Sequence, residues 1–337
     1  MRRILAFVSC GSVGDVNIPP VEAILDTAVV VALPMRQRFR GITVREALLF
    51  EGPRGWGEFG AFTEYDDAEA AWWLAAGIEA AHQGPPAASR DEVAINATVP
   101  AVAADEVAAI LARHPGVTTA KVKVAEPGDT LDDEVARIEA VRAVVPTVRV
   151  DANGKWSVSQ AITAIRALGE LEYVEQPCAS IEELAAVRAA VTTRIAADES
   201  IRRAEDPLRV VRAGAADVAV LKVAPLGGMR RVLALAEQID LDVVISSALD
   251  TAVGISAGIA TAAALPIAPP ACGLGTGSLF EVDVATTPPS VGGVLATRTV
   301  VPDGRAPLAA QHRRDWWIDR VRRVHALLAD GHPAGRS

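Results

Sequence analysis

The sequence predicts an α/β protein in which a parallel β/α barrel is joined to a smaller α+β domain. Two observations favour the barrel. Short apolar, β-rich runs end on Lys, Asp, Glu or Ser, and from Asp151 to Ser246 these run ends recur every 23 or 24 residues. Ala-, Leu- and Arg-rich segments of helical length fill the gaps, and a strand–helix unit repeated in this way is typical of parallel β/α architecture. The 337 residues suffice for one barrel of about 250 residues and a second, smaller domain.

The repeat predicts eight barrel strands, of which the first is Val93–Val99 and the weakest is the eighth, Ala271–Thr276. The six strands between them are Thr119–Val124, Thr147–Asn153, Leu171–Pro177, Arg194–Ser200, Asp217–Val223 and Asp242–Ser247. The carboxyl ends of barrel strands are where barrel enzymes place their active sites. Charge at these ends therefore predicts a catalytic site.

Changes in composition divide the chain into four parts. We expect a disordered extension over residues 1–17, an α+β capping domain over 18–92, the barrel over 93–285, and a C-terminal segment over 286–337 that packs back onto the first domain. Within the first domain, a basic loop at Pro34–Gly41 separates two strands, and Asp66 or Asp67 caps a helix that ends at His82.

The composition excludes several classes of protein. The net charge is −9, half of the residues are hydrophobic, and no basic run is long enough to indicate nucleic-acid binding. No apolar run reaches the roughly 18 residues of a membrane span. Three widely spaced cysteines form neither a disulfide framework nor a zinc motif. We therefore expect a cytoplasmic protein, a monomer or small homo-oligomer, whose partner is a small anionic molecule.

Three acids end three consecutive predicted strands: Asp151, Glu175 and Asp198. Neighbouring strands lie about 4.8 Å apart, so the three carboxylates can converge on one ion. Oxygen ligands with room for water suit Mg²⁺, whereas zinc is expected to recruit His or Cys. The alternative is that each acid caps the next helix or pairs with a lysine.

Three lysines accompany these acids. Lys121 and Lys123 are two residues apart, so both point to the same face of their strand. On the helix-facing side they would be buried at a high cost, which favours the barrel interior. Lys222 ends the sixth strand, across the barrel. A lysine beside a metal and a second cation can serve as a base, so the set predicts abstraction of a proton next to a carboxylate.

Together these residues form a recognisable pattern. Lys121-x-Lys123, then Asp151, Glu175 and Asp198, then Lys222, resemble the enolase superfamily, and within it the muconate-lactonizing subgroup. The resemblance implies a TIM-like (β/α)₇β barrel with an N-terminal α+β capping domain completed by the C-terminal segment. It also implies a Mg²⁺-dependent lyase that removes water from its substrate, with Mn²⁺ as a substitute metal.

The same resemblance implies a role for each residue. Lys123 would move the proton, Lys222 would face it across the substrate, and Lys121 would tune Lys123 and contact the substrate carboxylate. Asn153 and Glu199 would contact the metal ligands from the side away from the metal and orient them. The residues that would hold the substrate are Ser246, Gly275, Thr276 and Arg40, the last of them on a loop that closes over the site.

Other activities remain open at this point. N-acylamino acid racemization needs the same two opposed lysines, alone or beside dehydration. Dipeptide epimerases carry a DxD signature on the eighth strand, where this chain has GLGT. A non-enzymatic alternative is an inactive barrel that serves as a scaffold.

Overall fold

The computed structural model describes residues 18–202, 206–286 and 291–331. They form an antiparallel sheet, a barrel of parallel strands, and a C-terminal segment that returns to the first sheet. The predicted extension over residues 1–17 lies outside the described residues. Within the described ranges, no helix is long and apolar enough to cross a membrane.

The strands alternate with helices through the middle of the chain. The strands are β1 (Val29–Phe39), β2 (Ile42–Gly52), β3 (Gly55–Phe59), β4 (Glu92–Ala94), β5 (Ala97–Val99), β6 (Thr119–Lys123), β7 (Thr147–Asp151), β8 (Val174–Glu175), β9 (Ile195–Ala197), β10 (Val218–Lys222), β11 (Asp242–Ser246) and β12 (Val294–Ala296). The helices are α1 (Val21–Leu25), α2 (Asp67–His82), α3 (Val107–Leu111), α4 (Leu131–Arg142), α5 (Val158–Leu168), α6 (Ile181–Ala190), α7 (Glu199–Arg202), α8 (Arg209–Arg212), α9 (Val223–Leu226), α10 (Met229–Ala236), α11 (Ala252–Ala264) and α12 (Gln311–Ala329). Short 3₁₀ turns lie at Ala104–Glu106 and Thr276–Leu279.

The cap consists of β1, β2 and β3 in one antiparallel sheet, with α1 and α2 packed on it. Asp66 begins α2 as predicted, because its carboxylate accepts a 2.7 Å hydrogen bond from the Glu69 N–H. The C-terminal segment completes this unit: α12 packs on α2, and the fully buried Trp317 contacts Phe59 edge to face at 5.4 Å. The predicted return of the tail to the cap is therefore confirmed.

The barrel is a parallel sheet in the order β5 to β11, closed by a short eighth segment. Cys272 bridges to Ile95 on one side and Gly273 bridges to Ser246 on the other. The predicted eighth strand, Ala271–Thr276, is thus reduced to two bridging residues. Helices α3 to α11 lie between successive strands, and the described residues form the predicted (β/α)₇β barrel.

Two predictions about local structure are wrong. The expected strand Val93–Val99 is split, because β4 pairs antiparallel with β12 outside the barrel and only β5 enters it. The expected loop Pro34–Gly41 is mostly strand: β1 continues to Phe39, and the turn consists of Arg40 and Gly41, both at positive φ. Residue 281 holds this part of β1 through a 2.9 Å bond from its N–H to the Pro34 carbonyl, a contact that the local sequence does not reveal.

Candidate active site

The predicted site residues meet at the carboxyl ends of adjacent strands. Asp151 on β7 is the register partner of Lys123 on β6 and of Glu175 on β8. Asp198 follows β9, and Lys222 ends β10. All of these side chains are buried, the lysines at 7% exposure and the three acids at 1% or less. The spacing of strand ends in the sequence therefore does place these residues at one mouth of the barrel.

Lys121 lies between two carboxylates. Its Nζ donates to both Glu175 oxygens, at 2.7 and 2.8 Å, and lies 3.5 Å from Asp151 Oδ2. Burial lowers the pKa of Lys121, but the charges of Glu175 and Asp151 outweigh it and raise the pKa above its usual range. Burial and the Asp151 charge raise the pKa of Glu175 to about 7, although Lys121 opposes them. Lys121 therefore remains a cation that neutralises two crowded acids.

Lys123, two residues along, has a different environment. Its Nζ donates to Asp151 Oδ2 and to Asn153 Oδ1, both at 2.6 Å, and lies 5.4 Å from the centre of the Phe39 ring at the end of β1. Burial and the positive charge of Lys121 lower the pKa of Lys123, even though Asp151 opposes them. Lys123 can therefore lose its proton more easily than Lys121, which suits a base.

Lys222 approaches from the other side of the barrel. Its strand, β10, is four strands from β6 in a closed barrel of eight, so the two lysines face each other. Lys222 Nζ donates to Asp198 Oδ2 at 2.6 Å. Burial opposes ionisation of Asp198, but Lys222 and Arg202 outweigh it and lower the pKa of Asp198 to about 2. Asp198 is therefore a charged acid held between two cations.

Asn153 and Glu199 connect the two halves of the site. Asn153 accepts the Lys123 bond through Oδ1 and donates through Nδ2 to Glu199 Oε1 at 3.2 Å. Its backbone has a positive φ of 48°, a conformation that Asn tolerates better than most residues, and its N–H donates to Asp151 Oδ1 at 3.0 Å. The two residues thus lie beside the acids, and their orienting of metal ligands stays a prediction.

The four residues predicted to hold substrate are more scattered. Thr276 begins the second 3₁₀ turn, and its Oγ1 lies 2.7 Å from Ser247 Oγ, so this turn contacts the end of β11 through Ser247. Ser246 Oγ instead donates to the Gly273 carbonyl at 3.4 Å. Gly275 lines a separate cavity of about 330 Å³, shared with residues of α11 and β12. The Arg40 guanidinium lies 4.4 Å from the Phe62 ring centre in the cap. The structure therefore leaves Gly275 and Arg40 outside the group of acids and lysines.

Two buried residues of the site were not predicted from the sequence. Gln176, directly after Glu175, accepts hydrogen bonds from the N–H groups of Asp198 and Ser200, at 3.1 and 3.2 Å. It therefore fixes the end of β9 relative to β8. Arg202 donates to Asp198 Oδ1 at 3.0 Å and to Glu199 Oε1 at 2.7 Å. A polar residue directly after a strand-end acid was the available signal for Gln176, and the spacing Asp198-x-x-x-Arg202 was the signal for Arg202.

Comparison with known families agrees with this geometry. The C-terminal model, described as Enolase C-terminal domain-like, matches residues 103–304, and the N-terminal model, Enolase N-terminal domain-like, matches residues 30–81. The first match covers more than half of the chain. This chain belongs to the enolase superfamily.

Similar members of the enolase superfamily are found in mycobacteria. A relative from Mycolicibacterium smegmatis is 63% identical over 318 residues, which is 93% of this chain and 99% of that protein. One from Mycobacterium tuberculosis is 60% identical over 317 residues, covering 92% and 97% of the two chains. Both are named o-succinylbenzoate synthase.

Solved structures in the enolase superfamily share the fold at much lower identity. The L-Ala-D/L-Glu epimerase from Bacillus subtilis superimposes with a TM-score of 0.68 at 22% identity, over 84% of this chain and 98% of the epimerase. The N-succinyl Arg/Lys racemase from Bacillus cereus gives a TM-score of 0.67 at 19% identity, over 88% and 97%. At these identities the likeness shows the fold alone.

The enolase superfamily indicates a divalent metal, and the residues at the barrel mouth fit one. The Lys121 ammonium already bridges Asp151 and Glu175, which shows that this pair holds positive charge. Glu199 Oε2 is buried and has no hydrogen-bond partner among the described residues. Carboxylate oxygens are the ligands of hard cations. In the described part of the chain, no three Asp, Glu, His or Cys side chains already surround a common point as metal ligands would. Each of the three acids contacts a lysine instead.

Proposed function

We propose that this chain is an o-succinylbenzoate synthase. Such an enzyme dehydrates 2-succinyl-6-hydroxy-2,4-cyclohexadiene-1-carboxylate to o-succinylbenzoate in menaquinone biosynthesis. The observation that carries the proposal is the pair of opposed lysines, Lys123 and Lys222, each held at 2.6 Å by an acid at the barrel mouth. The mycobacterial relatives, which share 60–63% of their residues with the chain, support the choice of substrate.

Asp151, Glu175 and Asp198 are the residues proposed to hold the metal, which we infer to be Mg²⁺ with Mn²⁺ as a substitute. Three carboxylates that leave room for water suit Mg²⁺, which retains several of its water ligands in proteins. Bound there, the metal would supply positive charge against the negative charge that develops on the substrate carboxylate.

Lys123 is the proposed acid–base group. It removes the proton from the ring carbon that bears the carboxylate, so the C–H bond breaks and Nζ gains the proton. The ring C–O bond then breaks as the new double bond forms, and the same ammonium protonates the departing hydroxide as water. One residue can serve both steps because elimination on one face of the ring presents the proton and the hydroxyl on the same side. Its lowered pKa favours the neutral form that the first step requires.

Lys222 and Lys121 contribute charge. Lys222 lies across the barrel from Lys123, so it faces the other side of the ring and stabilises negative charge there without moving a proton. Lys121 is a permanent cation beside Glu175, positioned to attract the substrate carboxylate and to oppose protonation of Lys123. The proposed contacts for the succinyl chain are Ser246 and Thr276, at the end of β11 and in the 3₁₀ turn. Gly275 and Arg40 lie outside the group of acids and lysines, so they could contact the substrate only after the β1–β2 hairpin and the 3₁₀ turn move toward it.

A direct assay tests this function. Purified protein with Mg²⁺ should remove the ultraviolet absorbance of the cyclohexadiene substrate and form o-succinylbenzoate. Folded, metal-loaded protein that leaves the substrate unchanged would contradict the proposal. We further propose a cytoplasmic location, which suits the buried free thiols of Cys178 and Cys272.

A further inference from the structure

Arg202 uses all three of its guanidinium nitrogens on different partners. Nε donates to Asp198 Oδ1 at 3.0 Å, Nη2 to Glu199 Oε1 at 2.7 Å, and Nη1 to the Tyr65 hydroxyl at 3.3 Å. Its side chain is only 3% exposed. Tyr65 lies in the segment between β3 and α2, so one buried side chain joins two barrel acids to the cap.

The consequence for Asp198 is a fixed orientation. Oδ1 faces Arg202 on the outer side, and Oδ2 faces Lys222 on the inner side at 2.6 Å. A carboxylate held by one oxygen cannot rotate freely, so Arg202 determines which oxygen of Asp198 points toward the barrel axis. Glu199 is held in the same way: Oε1 is occupied by Arg202 and Asn153, and Oε2 is buried with no hydrogen-bond partner among the residues that the structure describes.

We propose that Arg202 is a positioning residue that orients Asp198 and Glu199 for metal binding and links that orientation to the cap through Tyr65. The inference rests on the proposed metal-dependent function, and it adds a residue that the motif of acids and lysines does not include. Partners behind metal ligands orient them, and losing such a partner typically costs about 10- to 100-fold in metal affinity.

The three contacts require arginine and not merely a positive charge. The guanidinium is planar and rigid, so its three nitrogens reach three oxygens that lie around its edge. A lysine carries the same charge as a single point on a flexible stem and cannot hold both acids and the tyrosine in one geometry. Arg202→Lys therefore separates the geometric effect from the charge.

Charge and geometry make opposite contributions to metal binding. Removing a cation near a divalent metal favours binding, whereas losing the orientation of two ligands weakens it. If Arg202 acts only as a counter-charge for buried acids, Arg202→Met should bind metal as tightly as the parent or more tightly. If it positions the ligands, both Arg202→Met and Arg202→Lys should bind more weakly.

The experiment is a titration of the whole protein with Mn²⁺, in which electron paramagnetic resonance measures the free ion. The thermal midpoint of unfolding and the kcat and KM of dehydration are measured on the same samples. We expect the Mn²⁺ dissociation constant to rise about 10- to 100-fold in Arg202→Met and by a smaller factor in Arg202→Lys and in Tyr65→Phe. The matched control is Arg188→Met. Like Arg202, Arg188 is a barrel arginine that binds an acid: it donates two hydrogen bonds to the Asp217 carboxylate, at 2.7 and 2.9 Å. Asp217 lies at the other end of the barrel strands, so metal affinity should not change.

Folded Arg202→Met or Arg202→Lys with an unchanged or lower Mn²⁺ dissociation constant would overturn the proposal. If Arg202→Met does not fold, Arg202→Lys decides the question by the same criterion. Mn²⁺ binding is read without turnover, so a parent protein that binds Mn²⁺ but does not dehydrate the substrate would reject the proposed function and leave this test of Arg202 intact.

Discussion

Glu58 of the cap and Thr251 of the barrel are joined across 193 residues by a buried contact: the Glu58 carboxylate accepts the Thr251 hydroxyl at 2.7 Å and the Thr251 N–H at 3.1 Å. Glu58 also accepts the Gly254 N–H at 2.9 Å. The first N–H groups of a helix have no partner within it, so Glu58 satisfies the start of α11 from another domain. Glu79 of α2 does the same for α10, accepting the Arg230 N–H at 3.0 Å. The cap is therefore docked on the helices that follow the strands of Lys222 and Ser246.

The first prediction concerns the pH dependence of stability. Burial and the nearby Asp250 raise the pKa of Glu58 to about 7, although Arg45 opposes them. Between the usual pKa of a glutamate and pH 7, folded Glu58 therefore holds a proton that the unfolded chain releases. The stabilisation is present at low pH and is lost as the pH rises through 7. Across that window it should amount to about 3 kcal/mol.

Glu58→Gln stays neutral and should remove this contribution. Urea unfolding at pH 5, 6, 7 and 8 should show the parent losing stability relative to Glu58→Gln as the pH rises. Glu51→Gln, on the exposed face of β2, is the matched control and should keep the slope of the parent. A parent and Glu58→Gln with parallel pH profiles would show that Glu58 is not protonated in the folded state.

The second prediction concerns the metal. A chelator should abolish turnover and leave the fold intact, because the buried acids retain lysine and arginine partners without the metal. Circular dichroism and the rate should be followed in the same EDTA titration, with Mg²⁺ added back at the end. A crystal with Mg²⁺ should place Asp151, Glu175 and Asp198 oxygens near 2.1 Å from the ion. Full activity in excess chelator would refute the metal site.

The third prediction separates the two opposed lysines. Lys123→Ala should lower kcat for dehydration by about 10⁴-fold or more, because general acid–base assistance is worth about 10²–10⁴-fold and this residue acts twice. Lys222→Arg keeps a cation but has no accessible neutral form. It should therefore retain more dehydration activity than Lys222→Ala.

The same variants decide whether racemization coexists with dehydration. A racemase needs a base on each face of its substrate, so Lys222→Arg should lose any N-acylamino acid racemase activity while dehydration persists. Both rates should be measured for all three variants, with metal binding as the control for an intact site. Were Lys222→Arg as inactive in dehydration as Lys123→Ala, with a crystal structure showing no displacement by the guanidinium, Lys222 would have to move a proton.

The fourth prediction concerns the tip of the β1–β2 hairpin. Arg40 and Arg45 each lie 4.4 Å from the centre of the Phe62 ring, and Phe39 beside Arg40 reaches Lys123. A cation–π contact at an exposed site is worth about 0.5–1 kcal/mol, so Arg40→Ala should raise opening of the tip about two- to fivefold. Hydrogen exchange of the hairpin should detect this, and bound product should slow the exchange in the parent.

Arg54→Ala is the control for the hairpin, because Arg54 is exposed and lies in the β2–β3 turn, at the opposite end of β2 from Arg40 and Gly41. Its exchange should match that of the parent. Equal exchange in Arg40→Ala and the parent, or no slowing by product, would show that the hairpin does not act as a lid.

The site residues could be predicted from the sequence where they lie at the ends of the repeated strand–helix units. Strand and helix lengths vary little in a β/α barrel, so the period from Asp151 to Ser246 locates the strand ends, and a two-residue spacing puts Lys121 and Lys123 on one face. The period alone was enough to predict where the acids and Lys222 lie. It could not predict which lysine pairs with which acid, because that pairing depends on side-chain length and burial at the barrel mouth.

The remaining errors arise from contacts between distant segments. Val93–Val99 has the composition of one strand. Its first residues nevertheless pair outside the barrel, with β12, which lies some 200 residues later in the chain. Pro34–Gly41 is basic and begins with proline, yet pairing with β2 and with residue 281 makes it a strand. Glu58 is an ordinary charged residue in the sequence, and only the docking of the cap on the barrel gives it Thr251 and Gly254 as partners. Arg202 has two partners near it in the sequence, and docking of the cap adds Tyr65.

The packing of Trp317 on Phe59 has a consequence for synthesis. The cap sheet and α2 leave the ribosome before the barrel, but four residues of α12 that share their core leave it after the barrel: Trp317, Val321, Val324 and Leu328. At about 5–20 residues per second, the interval between α2 and the end of α12 is on the order of 10 to 50 s. During that time the nascent cap exposes the apolar surface that α12 later covers. The cap sheet and α2 therefore cannot complete their shared core until α12 has been made.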